Sequence, residues 1–232
     1  MSNGQDAPAA DVRRFETCGR AWIAGLRHVW SAGEAGMADR GPVIEGPPLL
    51  FEIASVSRDD PILREHGDRA GLAGPGRPAG GRTRPDGPAD GASGGARPDA
   101  EQVRWVVDLL RSRPWTTSAW IPLTTPGEPA GAPPAPTVPA PTVPASTVPA
   151  PTVLAFRIRG YRLITTAMFR AQNVHRAYLA YLPLREVQVH VADRLGLPSG
   201  PLRVFVDVPH LHVADADRVA GILAAQPESN AA

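Results

Sequence analysis

The chain has 232 residues and a formal net charge of +1 at pH 7, which gives no electrostatic case for nucleic acid or an anionic membrane as a partner. It contains no lysine, which excludes Schiff-base chemistry, and its single cysteine excludes an internal disulfide framework. No apolar run approaches membrane-spanning length and the N-terminus has no signal-peptide pattern, so a cytoplasmic location is expected.

The N-terminal part predicts one helix and one strand. Residues 1–10 are expected to form a disordered tail. From Asp11 onward apolar residues recur at helical spacing, which predicts a helix with Asp11 as its N-cap and Gly33 as its end. Its apolar stripe is Phe15, Cys18, Trp22, Leu26, Val29 and Trp30. Cys18 is therefore expected to be a buried core residue, and residues 48–55 alternate as a strand.

Two insertions of low complexity interrupt the foldable sequence. Residues 69–98 consist of Gly, Pro, Arg, Ala, Asp and Ser with almost nothing to bury, which predicts disorder. Residues 129–152 contain tandem copies of Ala-Pro-Thr-Val-Pro, one with Ser146 in place of Pro, which predicts an extended, polyproline-like segment. Between the insertions lies a predicted helix with Val103, Val106, Val107 and Leu110 on one face.

The segment from Val153 to Leu223 is patterned throughout. Residues 154–158 and 163–170 alternate as strands around a turn at Gly160, which predicts a hairpin. A helix ending at Gly196, a strand over 202–208 and a short helix carrying Val219 follow. The sequence therefore predicts a single α/β (α+β) domain over 11–225, with a mixed sheet flanked by helices, and a disordered tail over 226–232.

Three motifs in this segment resemble those of the thymidylate synthases and the related pyrimidine-nucleotide hydroxymethylases. These are Phe156-Arg-Ile-Arg with the later Arg170-Ala-Gln-Asn-Val, then Leu195 to Gly200, then His210-Leu-His212. The family has Arg-Ser-x-Asp-Val, Leu-Gly-x-x-x-Gly and His-x-Tyr in the same order. The resemblance implies a thymidylate-synthase-like sheet and a dimer that forms through that sheet.

The resemblance also implies a binding site for a pyrimidine nucleoside monophosphate. Arg40, Arg170 and Arg113 match phosphate-binding arginines. Arg113 and Pro114 align with a pair of adjacent arginines of the family in one alignment, and Thr117 and Ser118 align with that pair in another. His210 and His212 match the residues that hold the sugar hydroxyl. The position that faces the pterin is Asn173, and the base-reading asparagine falls at Ala180 or Tyr181.

The catalytic cysteine of that family is missing. Its Pro-Pro-Cys motif aligns with Pro133-Pro134-Ala135 if three repeat units are removed, and with Ala150 if they are kept. Neither residue has a thiol that could attack the pyrimidine ring. The resemblance therefore implies a catalytically lapsed protein with at most residual nucleotide binding, in which 5,10-methylenetetrahydrofolate is a cofactor only if activity survives.

Three alternatives remain open at the level of sequence. The chain could supply half of an active C5 methyl- or hydroxymethyltransferase site for dUMP, dCMP or CMP, in a mixed dimer with a paralogue that has the cysteine. It could bind a metal through His210 and His212 with Asp207 or Asp215. It could also be a decayed coding sequence without a selected function. His66, His175 and His190 have no partner suggested by spacing, so solvated surface positions are expected for them.

Overall fold

The computed structural model describes residues 12–38, 40–73, 98–123 and 151–226. They form an eight-stranded mixed sheet with helices, which confirms the predicted α/β class. The strands are β1 (Arg13–Thr17), β2 (Glu34–Ala38), β3 (Gly41–Glu45), β4 (Leu49–Ser55), β5 (Trp120–Pro122), β6 (Val153–Arg159), β7 (Arg162–Asn173) and β8 (Ser199–His212). The helices are α1 (Cys18–Ala32), α2 (Pro61–His66), α3 (Arg69–Ala73), α4 (Ala100–Ser112), α5 (Tyr178–Leu195) and α6 (Ala216–Ala225).

The main path of the sheet runs β1-β4-β8-β7-β6-β5, and β8 also pairs with β3 of the β2–β3 hairpin. β7 and β8 are its two longest strands and run parallel to each other. The α5 helix connects them, as a crossover between parallel strands requires. The β6–β7 hairpin turns on Gly160 and Tyr161, which both have positive φ, as expected of a two-residue turn of this kind.

One face of the sheet carries the core. Buried side chains of alternate sheet residues, among them Ile53, Phe156, Phe169 and Val204, pack with the apolar faces of α1, α4 and α5. The residues between them on the strands point to the other face, which is largely exposed; Leu50 and Met168 are examples. Among the described residues, no helix is both long and apolar enough to cross a membrane.

The first predicted helix begins six residues later than it would with Asp11 as its N-cap. Residues 13–17 form β1, which pairs in parallel with β4, and Phe15 packs edge-on against Phe51 at 6.0 Å between ring centroids. Thr17 is the N-cap, because its hydroxyl accepts the Arg20 N–H at 3.3 Å. Asp11 itself lies outside the described residues, and Trp30 is 42% exposed rather than buried. The end at Gly33 is confirmed.

Most of the two predicted insertions lies outside the described residues. At the start of the first, Arg69–Ala73 form α3, whose first turn is capped by the Asp68 carboxylate at the Ala70 and Gly71 N–H groups. Pro151 and Thr152, at the end of the second, precede β6 directly. The predicted tails, 1–10 and 227–232, are also outside the described residues, whereas Gln226 follows α6 with its N–H on the Leu223 carbonyl.

Candidate functional site

Three strands meet at the C-terminal end of β8, where the candidate site lies. On one side β7 pairs with β8, and Asn173 lies opposite His210. On the other side β3 places Val43 opposite His212 and Glu45 opposite His210. The β2–β3 turn, which contains the exposed Arg40, therefore belongs to the same part of the molecule. The pairing brings together residues that are 37 positions apart or more in the chain.

The two histidines of β8 contact each other. Their ring centroids lie 5.5 Å apart with the rings nearly perpendicular, and His210 Nδ1 is 3.4 Å from the Val208 carbonyl oxygen. Burial lowers the pKa of His210 and the neighbouring His212 also lowers it, whereas the Val208 carbonyl and Glu45 raise it. The net lowering favours the neutral imidazole, which can form a hydrogen bond with a hydroxyl group.

Arg170 lies three residues before the end of β7 and is exposed. Its backbone N–H donates to Thr152 Oγ1 at 3.3 Å, which joins β7 to the residues that precede β6. Within the described ranges its guanidinium group has no carboxylate within ion-pair distance. Arg170 is therefore a candidate cation for an anionic ligand.

The chain turns sharply after β7, and several side chains fix that turn. Asn173 Oδ1 accepts the His175 N–H at 2.9 Å and so caps a 3₁₀ turn over Val174–Arg176. The Trp22 indole N–H lies 3.1 Å from the carbonyl oxygens of both Val174 and His175. Arg176 forms an ion pair with Asp68. The side-chain oxygen of Asn173 is thus already used by the turn.

His175 is buried, contrary to the expectation of a solvated surface position. It is 8% exposed, and its Nδ1 lies 3.3 Å from Asp215 Oδ2. Burial lowers its pKa; Asp215 opposes this, while Arg218 and Arg176 lower it further. No local pattern predicts this pair, because Asp215 lies 40 residues further along the chain in a separate 3₁₀ turn.

Tyr181 lies inside the core. Its hydroxyl donates to Gln172 Oε1 at 2.8 Å, and its ring packs edge-on against Phe51 and Phe169, at 6.1 Å from each centroid. Burial raises the pKa of Tyr181 well above its usual value, so the hydroxyl stays protonated. Gln172 is completely buried, and its Nε2 has no hydrogen-bond partner in the part of the chain that the structure describes. Sequence reasoning did not single out Gln172.

Arg113 is not brought into this group. It caps the C-terminus of α4 through its N–H on the Leu109 carbonyl at 2.8 Å, and its own carbonyl accepts the Thr116 N–H. These hydrogen bonds stay within α4 and the turn that follows it. Ala135 and Ala150, the two candidates for the nucleophile position, lie outside the described residues.

No family model matches the chain, and no curated protein matches it. The strands provide an exposed cation at Arg170 and two adjacent imidazoles at His210 and His212. This set can bind an anion and a hydroxyl group.

The only thiol of the chain cannot serve as a nucleophile. Cys18 is completely buried at the start of α1, which confirms its predicted place in the core. Burial raises the pKa of the thiol, and the nearby Asp60 raises it further. The reactive thiolate form is therefore suppressed at neutral pH.

In the described part of the chain, the two histidines of β8 are not joined by a third metal ligand. Within the described ranges, no three His, Cys, Asp or Glu side chains are grouped so that they could hold a metal ion. Asp215, one of the two carboxylates considered with the histidines, faces His175 instead.

Proposed function

We propose that this chain is a thymidylate-synthase-like protein of pyrimidine-nucleotide metabolism that has lost catalysis and keeps at most residual binding of a pyrimidine 5′-monophosphate. The observation that carries the proposal is the pairing of β7 with β8. It places Asn173 opposite His210 and leaves Arg170 on the same strand, three residues away. Those are the positions at which the resemblance implies pterin, sugar and phosphate contacts.

The loss of catalysis rests on the missing nucleophile. Methyl transfer of this type needs a thiolate that attacks the pyrimidine ring, and Cys18 is the only cysteine in the chain. Its burial at the start of α1 raises the pKa of the thiol and so keeps it protonated. The base-reading asparagine falls at Ala180 or Tyr181; alanine has no polar side chain, and the Tyr181 hydroxyl donates to Gln172.

Nucleotide binding is tested by isothermal calorimetry with dUMP, dCMP, UMP and CMP. We expect micromolar binding of one of them, and Arg170→Ala should weaken it about 10- to 100-fold, since a charge-assisted hydrogen bond contributes roughly 1.5–3 kcal/mol. Arg157→Ala is the matched control, because Arg157 is also exposed on a strand but lies on β6. Absence of binding to all four nucleotides would overturn nucleotide binding, and with it both the residual site and the mixed enzyme.

A second candidate is an active methyl- or hydroxymethyltransferase in a mixed dimer, in which a paralogue supplies the cysteine and 5,10-methylenetetrahydrofolate is the one-carbon donor. The observation that favours it is an apolar row on the open face of the sheet. Leu50, Phe205, Met168 and Val153 lie side by side across β4, β8, β7 and β6. Leu50 is 40% exposed and Met168 is 41% exposed.

The neighbouring row on the same face has the polar groups expected at the rim of an interface. In this neighbouring row Arg203 Nε lies 3.1 Å from Glu52 Oε1, and Arg14 Nε lies 3.3 Å from Glu52 Oε2. The same face would serve a homodimer or a mixed dimer. Methylation of dUMP or dCMP by the purified chain only after a cysteine-bearing paralogue is added would favour the mixed enzyme over the lapsed protein.

A further inference from the structure

A groove between α4 and β5 exposes two tryptophans. Trp105 on α4 is 50% exposed and Trp120 on β5 is 49% exposed, and both line one cavity of ≈ 580 Å³ together with Gln102 and Pro122. Tryptophans that are half exposed in one concave site are typical of a binding surface, since the ring is apolar and the indole N–H is a hydrogen-bond donor. The groove is distinct from the candidate nucleotide site at the ends of β7 and β8.

The local fold explains why the groove is open. Helix α4 uses Val103, Val106, Val107 and Leu110 to pack on the core, which leaves Trp105 outside. In the described sheet β5 pairs only with β6, so it is the edge strand on this side. The space between α4 and this edge is therefore bounded on one side by a helix and on the other by three strand residues.

The polar groups at one end of the groove are already paired. Asp99 and Gln102 form a capping box at the start of α4, and Gln102 Nε2 also lies 3.5 Å from the Pro122 carbonyl oxygen. By contrast, neither Trp105 Nε1 nor Trp120 Nε1 has a hydrogen-bond partner among the described residues. The groove thus offers two aromatic faces and two N–H donors. Proline-rich ligands in the polyproline II conformation offer the complement, apolar rings and free carbonyl oxygens.

The chain itself contains such a sequence, in the segment whose described attachment points lie beside the groove. The Leu123 N–H donates to the Thr152 carbonyl at 2.9 Å, so residues 124–150 leave and return beside Pro122, which lines the groove. That segment contains Pro-Thr-Val-Pro twice, at 136–139 and 141–144. At about 3.1 Å per residue in polyproline II, the dozen residues that follow Leu123 can span up to roughly 37 Å.

We infer that the groove formed by Trp105 and Trp120 binds the Ala-Pro-Thr-Val-Pro repeats of the same chain as a polyproline II ligand. Attachment beside the groove gives the repeats an effective concentration on the order of millimolar, so weak intrinsic affinity is sufficient. The inference is independent of nucleotide binding. The other occupant to be distinguished is the arginine-containing segment 74–97, which rejoins the described chain at Pro98, next to Asp99.

The test is nuclear magnetic resonance of the tryptophan indole N–H groups in the full-length chain. Trp105→Phe and Trp120→Phe assign the two signals. A fourfold proline-to-alanine variant then removes the motif at Pro136, Pro139, Pro141 and Pro144. The matched control replaces four prolines of the same segment that lie outside the motif, Pro126, Pro129, Pro133 and Pro134.

We expect the repeat variant to shift the signals of Trp105 and Trp120 and to leave those of Trp30 and Trp115 in place. Free peptide with two repeat units, added at millimolar concentration to the repeat variant, should reverse the shifts. Unchanged signals in the repeat variant would overturn the inference. So would shifts of equal size in the control, or shifts produced only when Arg77, Arg82 and Arg84 are replaced by alanine.

Discussion

At the end of β7 the imidazole of His175 lies in a buried position beside a single carboxylate. Its Nδ1 is 3.3 Å from Asp215, and the Trp22 indole N–H is bonded to the His175 carbonyl oxygen on the main chain. The position lowers the pKa of His175 because burial disfavours the charged ring more than Asp215 favours it. Proton uptake at His175 therefore acts against the folded state.

We expect the free energy of unfolding to decrease as the pH falls below about 6.5, the ordinary pKa of histidine. The unfolded chain binds a proton at His175 more readily than the folded chain does, so stability present above this pH is lost below it. The slope is up to about 1.4 kcal/mol per pH unit for each proton that differs. His210 adds to it in the same direction, since burial also lowers its pKa.

Urea unfolding at pH values from 5 to 8 measures this dependence. His175→Gln should reduce the slope without abolishing it, because His210 remains. His190→Gln is the control, since His190 is exposed on α5. A slope that is the same in wild type and His175→Gln would contradict the assignment of the pH dependence to His175.

At the scale of the elements, the start of α1 is joined to α2 by a buried carboxylate. Asp60 Oδ2 accepts the Gly19 N–H at 2.7 Å, and Asp60 Oδ1 accepts the Ile62 N–H at 3.0 Å. The two helices approach so closely that a Cβ atom on Gly19 would overlap the Asp60 carboxylate and lie 2.7 Å from Ile62 Cβ. Gly25, one and a half turns further along α1, has nothing within 4 Å of its ideal Cβ position.

Gly19→Ala should lower the free energy of unfolding by about 2–4 kcal/mol, from overpacking and the disturbed hydrogen bond of Asp60. Gly25→Ala in the same helix should raise it by about 0.5–1 kcal/mol, because alanine loses less backbone entropy in a helix. Denaturant unfolding of both variants measures the difference. Equal effects at the two glycines would contradict the close approach of α1 and α2 at Gly19.

The elements that the sequence predicted correctly are those whose pattern arises within the element. The alternation over β4, β6, β7 and β8 and the apolar face of α4 were sufficient to predict them. β1 was missed because Phe15, Cys18 and Trp22 happen to continue one helical stripe across the boundary at Thr17. Its strand conformation comes from pairing with β4, some 38 residues away, and the local sequence pattern does not predict this pairing.

At the scale of the whole molecule, the sheet has one covered and one open face. The row Leu50, Phe205, Met168 and Val153 crosses four neighbouring strands of the open face. If a partner covers this row, removal of its apolar surface from water favours association by about 25 cal/mol per Å². A second copy of the chain, or a related chain, is the partner that the resemblance to thymidylate synthases implies.

Met168→Glu should convert a dimer to a monomer, since it puts a charge in the middle of the apolar row. Met37→Glu is the matched control, because Met37 is 77% exposed on β2, outside the row. Sedimentation analysis at several protein concentrations measures the change. A wild-type chain that is monomeric at all of them would count against dimerisation through this face.

The candidate site was predictable only where its residues belong to a patterned strand. Arg170, Asn173, His210 and His212 could be named from motif order, and their proximity follows from the parallel pairing of β7 and β8. The His175–Asp215 pair and the bond from Tyr181 to Gln172 could not be predicted. Each depends on how a turn or a helix packs on the sheet, which the sequence around these residues does not encode.

The hydrogen bond between Leu123 and Thr152 has a consequence for the inheritance of this gene. Tandem five-residue repeats are prone to gain or lose units when DNA is copied, and here Leu123 and Thr152, which flank the segment that contains most of the repeats, are hydrogen-bonded to each other. Removing three units would shorten the connection of 27 residues to 12 and change its closure free energy by only about 0.7 kcal/mol. Because this change is small, selection for stable folding should act only weakly on the number of repeats. Related genes should therefore differ in repeat number while the sequences of β5 and β6 are retained.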